Sequence, residues 1–147
     1  MKKTLSFFLT AVIIVMAKTN VSAQPGTENF TIVNVQMLKT KWPEKGTARE
    51  RDSLIAIYNN NVVNKNQYIL SHRELQHWFT GSNKDYMIIE EYKDFDAMTR
   101  AFEMNDELEK KAWPDEARRE EFMDKLGSYF EDWHGDALYR SNPKLSK

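Results

Sequence analysis

The sequence predicts an α+β domain, a four-stranded antiparallel sheet with helices over one side. Three observations carry that expectation. Runs at Phe30 to Leu38, Gln67 to Gly81, Asp85 to Tyr92 and His134 to Arg140 read as strands, whereas stretches after Thr47 and Asp94 repeat apolar residues at helical spacing. The resulting order is strand, helix, strand, strand, helix, strand. The middle strands are joined by Gly81-Ser-Asn-Lys84, a turn-rich connection of hairpin length, which makes them antiparallel neighbours.

Of the 147 residues, the first 23 read apart from the rest. Lys2 and Lys3 precede an apolar stretch from Leu5 to Met16, and Val21-Ser22-Ala23 offers small side chains to a signal peptidase. A secretory signal at 1–23, cleaved before Gln24, is the expectation. The stretch is interrupted by Ser6 and Thr10 and falls short of the roughly 20 apolar residues of a membrane span, with an uncleaved anchor as the alternative. There is no cysteine, so neither a disulfide nor a lipid-modified cysteine can form. Export then implies a soluble periplasmic or extracellular product with no membrane attachment after cleavage. Removing Lys2, Lys3 and Lys18 leaves 18 basic against 22 acidic residues, near −4, a balance that gives no basis for binding nucleic acid. The remaining 124 residues suit a single domain at 30–141, after a polar entry at 24–29 and before a tail at 142–147.

Each element has its own signal. "FTIVNVQML" (Phe30 to Leu38) places Thr31, Val33 and Val35 on one face and Phe30, Ile32, Asn34 and Gln36 on the other. "KWPEKG" ends it, and Thr47-Ala-Arg-Glu50 has capping-box spacing, with Thr47 covering an open amide and Glu50 reaching back. Leu54, Ile57 or Tyr58, and Val62 continue that helix, which the asparagines at 59–61 weaken. After the hairpin, Asp94 is the expected N-cap of a second helix carrying Phe95, Met98, Ala101 and Phe102. Trp113-Pro114 interrupts it, Pro114 suits the first turn of a continuation, and Phe122, Leu126, Tyr129 and Phe130 lie along that continuation. The mixed charges of Glu103 to Glu121 read as a solvated helix face, with partner recognition as the alternative. A short strand from His134 to Arg140 closes the domain, giving a ferredoxin-like βαββαβ plait.

This element order, the long interrupted second helix and the aromatic closing segment "YFEDWHGDALYR" resemble the dimeric α+β barrel superfamily, with its antibiotic-biosynthesis monooxygenase-like, EthD-like and NIPSNAP-like domains. The resemblance spans Asn29 to Arg140. It implies a homodimer in which two sheets face each other and each subunit keeps a pocket. The residues agree, because Phe30, Ile32, Tyr86 and Ile88, read as lying on the uncovered face, would otherwise leave an apolar patch in water. The resemblance also implies chemistry without a cofactor in some members and haem degradation in others. Asn34 fits the first-strand asparagine of the haem degraders, but Asp94 to Phe130 holds no histidine to complete their set.

The residues that can carry chemistry are few. His134 and Asp136 stand two apart on a strand and so share a face, where they can share a proton or a ligand. The alternative is structural, with His134 closing the preceding helix and Gly135 as its left-handed C-terminal residue. His72 and His77 are five apart and point to opposite faces; His72, beside Glu74, Gln76 and Trp78, is the better pocket candidate, although a lone strand histidine is commonly a packing residue. Tyr58, Tyr86, Trp78, Phe102, Trp113 and Trp133 can line an apolar pocket or simply fill a core. No zinc, phosphate-loop, dinucleotide or nucleophile-elbow pattern is present, so no metal or cofactor is expected.

Two functions follow. The first is an exported domain that binds a small aromatic or quinone-like molecule, as a monooxygenase or isomerase without cofactor in which His72 or His134, supported by Asp136, is general base and Asn34, Trp78, Tyr86 and Trp133 hold the ligand. The second is a non-catalytic exported dimer binding a ligand or a protein partner.

Overall fold

A computed structural model describes residues 30–79 and 84–142. The expected export signal, the polar entry, the hairpin tip at 80–83 and the tail beyond Asn142 lie outside the described residues. The elements are β1 (Thr31–Thr40), α1 (Ala48–Asn61), a single 3₁₀ turn at Val63–Lys65, β2 (Ile69–Gln76), β3 (Asp85–Tyr92), α2 (Phe95–Ala112), α3 (Glu116–Gly127) and β4 (Phe130–Ser141). The sheet order is β2-β3-β1-β4 and every pairing is antiparallel, which is the ferredoxin-like plait the sequence predicts.

Local chemistry sets the helix starts. Thr47 Oγ1 accepts the Glu50 amide at 3.1 Å, and Asp94 Oδ1 accepts the Ala97 amide at 2.8 Å, each satisfying an open N–H of the first turn. The capping box at Thr47 closes by a different partner. Tyr129 accepts the Thr47 N–H at 3.2 Å and donates its own proton to Glu50, whose other oxygen takes Lys125 at 3.0 Å. Glu50 therefore ties α1 to the start of β4 instead of reaching back to Thr47. Asp115 caps α3, so Pro114 precedes the helix and is not in its first turn. Trp113 at the break stacks on Phe122, with centroids 4.3 Å apart.

Two strand boundaries differ from expectation. β2 ends at Gln76, leaving His77 and Trp78 beyond it. β4 starts at Phe130, because α3 stops at Gly127, so His134 and Gly135 lie inside a strand and close no helix. Gly135 is closely flanked: a Cβ there would lie 3.3 Å from Met37 Cε and 3.5 Å from the Trp133 ring.

Register decides which face is covered. Ile32 pairs with Tyr92, Asn34 with Glu90, Gln36 with Ile88 and Leu38 with Tyr86, and this set lies under the helices. Ile32 packs against Tyr92, Ala97, Met98 and Ala101, the buried centre of the domain, along with Tyr68 and Ile69. Ile32, Tyr86 and Ile88 are thus inside, contrary to the expectation that they form the open face, and Phe30 precedes β1. The open face is the other parity: Val33, Val35 and Met37 beside Met87 and Ile89, with Met37, Leu75, Trp133 and Tyr139 exposed. Among the described residues no helix is long and apolar enough to cross a membrane.

Candidate functional site

A cavity of about 300 Å³ lies between the sheet and the helices. The sheet supplies Gln36, Leu38, His72, Glu74, Tyr86, Ile88, Glu90 and Phe130, and the helices supply Ile55, Tyr58, Asn59, Phe102, Asn105 and Leu126. Its walls are mainly aliphatic and aromatic, with the neutral amides Gln36, Asn59 and Asn105 and one charged cluster. There the pairing of His72 with Glu90 and the two-residue step from His72 to Glu74 place an imidazole between two carboxylates.

His72 Nε2 donates to Glu74 Oε1 at 3.0 Å and Nδ1 donates to Glu90 Oε1 at 3.0 Å. Glu74 also accepts the Asn59 amide at 2.6 Å and the Tyr86 hydroxyl, and Glu90 accepts the Tyr92 hydroxyl. Burial works against charge on His72, but the bonds to Glu74 and Glu90 outweigh it and push the imidazole up to about 9. Burial acts to raise Glu74 too, yet bonds from His72, Asn59 and Tyr86 hold it below the usual carboxylate range. Burial and the adjacent carboxylates raise Tyr86 and Tyr92, and the same causes raise Tyr58, which donates to Glu109 at 2.8 Å. Near neutral pH the site is an imidazolium held between Glu74 and Glu90, to which Tyr86 and Tyr92 donate.

Behind Tyr86 lies Arg51, 1% exposed. Its Nε and Nη2 donate to Asp52 Oδ1, Nη2 also donates to Gln76 at 2.9 Å, and its guanidinium lies 5.4 Å from the Trp42 ring centre and 5.8 Å from that of Tyr86. This buried cation fixes the Tyr86 ring from outside the cavity.

Solved structures share this architecture. The chain matches SnoaB, a cofactor-independent oxygenase from Streptomyces nogalater, at 14% identity and a TM-score of 0.50, over 80% of this chain and 99% of that one. It matches a conserved protein from Methanosarcina mazei at 16% identity and a TM-score of 0.51, over 77% and 94% of the two chains. It also matches a dimeric ferredoxin-like protein from an uncultured marine organism at 9% identity and a TM-score of 0.52, over 77% and 89%. What these structures share with this chain is the ferredoxin-like α+β fold. No protein-family model matches the sequence, and no curated protein matches it. At these identities the likeness concerns the fold alone.

The expected site residues separate into four places. His72 and Tyr86 meet in the cavity, and Asn34, 5% exposed, lies on the same face beside Glu90 without lining it. Trp133 is on the open face, where it lines a groove of about 320 Å³ with Met37, Leu75, His77 and Met87. Trp78 stands beyond β2 and is 95% exposed. Neither tryptophan reaches the His72 cavity. His134 Nε2 and Asp136 Oδ2 do pair, at 3.1 Å, but both are half exposed on the edge strand β4. β4 and β2 are opposite edges of the sheet, so three strand spacings, about 14 Å, separate this pair from His72 before its further offset along the strands is added.

Both His72 nitrogens face carboxylates at 3.0 Å, contacts that push the imidazole up to about 9, so Glu74 and Glu90 stand beside it as further candidate proton acceptors. Sequence reading passed over Glu90 entirely. The signal that could have found it is the hairpin register, which pairs it with His72.

Proposed function

We propose that the protein is exported and works as a homodimer that binds a small aromatic or quinone-like molecule in each subunit's sheet-helix cavity. The observation that carries this reading is the cavity, with Tyr58, Tyr86, Phe102 and Phe130 for an aromatic ring and one polar end made by His72, Glu74 and Glu90. Its volume of about 300 Å³ suits two or three fused rings. Export is supported by the residue pattern at 1–23. The homodimer is supported by the dimeric ferredoxin-like neighbour and by the exposed Met37, Leu75, Trp133 and Tyr139 on the open face.

Oxygenation without a cofactor is the chemistry this arrangement would serve, as in the oxygenase neighbour. A carboxylate, Glu90 or Glu74, would take the acidic C–H or O–H proton of an anthrone-like substrate, and the resulting carbanion would react directly with dioxygen. One O₂ oxidises the anthrone methylene to the quinone carbonyl, with water as the second product. Isomerisation would use the same proton transfer and no dioxygen.

Isothermal titration with 1,4-naphthoquinone and an anthrone tests binding, and oxygen uptake with the anthrone tests turnover. Saturable binding that is lost in Phe102→Glu is the expected result. Absence of binding by the whole panel would overturn the reading, while binding without oxygen uptake above the uncatalysed rate would leave a non-catalytic ligand-binding dimer. Met37→Asp should convert the dimer to monomer in light scattering. N-terminal sequencing of protein recovered outside the cytoplasm should begin at Gln24.

A further inference from the structure

We infer that the cavity selects hydrogen-bond donors, so its ligand is a neutral or cationic arene bearing O–H or N–H groups, and aromatic carboxylates are rejected. This rests on the ligand-binding reading above and narrows it to hydroxy- and amino-arenes, leaving out quinones, which carry no donor. Two carboxylates and one imidazolium make the polar end, leaving one negative charge in excess, and no Lys or Arg lines the cavity. The nearest buried cation, Arg51, is behind the Tyr86 ring and outside the lining, with Nη2 on Asp52 and Gln76 and Nη1 buried without a hydrogen-bond partner among the described residues.

The proton inventory points the same way. Both N–H groups of His72 are spent on Glu74 and Glu90, and the hydroxyl protons of Tyr86, Tyr92 and Tyr58 are spent on Glu74, Glu90 and Glu109. What Tyr58 and Tyr86 then turn toward the ligand is hydroxyl lone pairs, His72 has no free N–H left to give, and Tyr92 is fully buried outside the lining. A carboxylate has about four acceptor positions, and Glu90 fills two of them, with His72 and Tyr92. The remaining polar lining, Gln36, Asn59 and Asn105, consists of neutral amides that give and accept alike. A phenolic O–H or an aromatic amine can therefore complete Glu90, whereas a carboxylate would be desolvated beside like charge with no cation to meet it.

The test is isothermal titration of the full mature chain with matched probes: 2-naphthol, 2-methoxynaphthalene and 2-naphthoate, with 1,4-naphthoquinone as reference. The expected result is 2-naphthol binding about tenfold or more tighter than 2-methoxynaphthalene, with 2-naphthoate weakest, since a bond to a charged acceptor exceeds a neutral contact by about that factor. Glu90→Gln, checked for native circular dichroism, should shrink the gap between 2-naphthol and 2-naphthoate. Naphthoate binding as tightly as naphthol would overturn the inference, as would an unchanged order in both Glu90→Gln and Glu74→Gln. If only 1,4-naphthoquinone binds, ligand binding stands and donor selection falls. If no probe binds, both fall.

Discussion

The Glu74–His72–Glu90 cluster predicts an alkaline loss of stability with a definite window. His72 has a folded-state pKa near 9, raised from 6.5, so its contribution to stability is complete below about 6.5, declines as pH rises, and is exhausted above about 9. The separation corresponds to on the order of 3 kcal/mol, and the three side chains are each no more than 20% exposed, so solvent screens little of it. Glu74 is shifted in the opposite sense, and its share is present above its ordinary 4.5 and lost only as pH falls. Tyr86 and Tyr92 are raised above their ordinary 10.0 and stay protonated through the alkaline window. The measurement is urea unfolding followed by tryptophan emission, for wild type and His72→Gln, at several pH values from about 6 to about 9.5. Wild type should lose on the order of 3 kcal/mol across that range and His72→Gln should be nearly flat. Parallel losses in the two proteins, or a His72 ring proton titrating at 6.5 by NMR, would refute the cluster's charge state.

Three substitutions probe the scaffold. Gly46→Ala places a Cβ 2.7 Å from Pro43 Cδ and 3.0 Å from the Tyr129 ring, and should destabilise by about 1–3 kcal/mol in urea unfolding. Gly127→Ala, where a Cβ meets nothing within 4 Å, should raise stability by about 0.5 kcal/mol, read as a small increase in Tm. Asp94→Ala removes the acceptor for the Ala97 amide and should cost about 1 kcal/mol, while Asp94→Asn restores most of it.

Features set by neighbouring residues were legible in the sequence. Thr47 and Asp94 act within their own first turns, and Trp113-Pro114 ends a helix whatever surrounds it, so the starts of α1 and α2 and the break after α2 could be read directly. Alternation also sorted β1 into its two sets of residues. It could not say which set the helices cover, because Ile32, Tyr86 and Ile88 are as apolar as Val33, Val35 and Ile89; that choice is made by packing against α2. The segment after α3 was misjudged for a comparable reason. Tyr129 and Phe130 continue the spacing of Phe122 and Leu126, and Gly135 has the look of a helix end, yet pairing with β1 claims all of them from Phe130 onward. Glu90 stayed hidden because the long connection between β2 and β3 leaves register to the sheet itself, and only register brings it to His72.

The four indoles have a practical consequence. Trp42 packs edge-on to Tyr129, Trp113 stacks on Phe122, Trp78 projects beyond β2, and Trp133 lies on the open face; none lines the cavity of His72. Intrinsic emission therefore arises from indoles outside the cavity, and of the four only Trp133 lies on the sheet face that the proposed homodimer would bury. Were that homodimer to form, a shift in emission traced to Trp133 would report it.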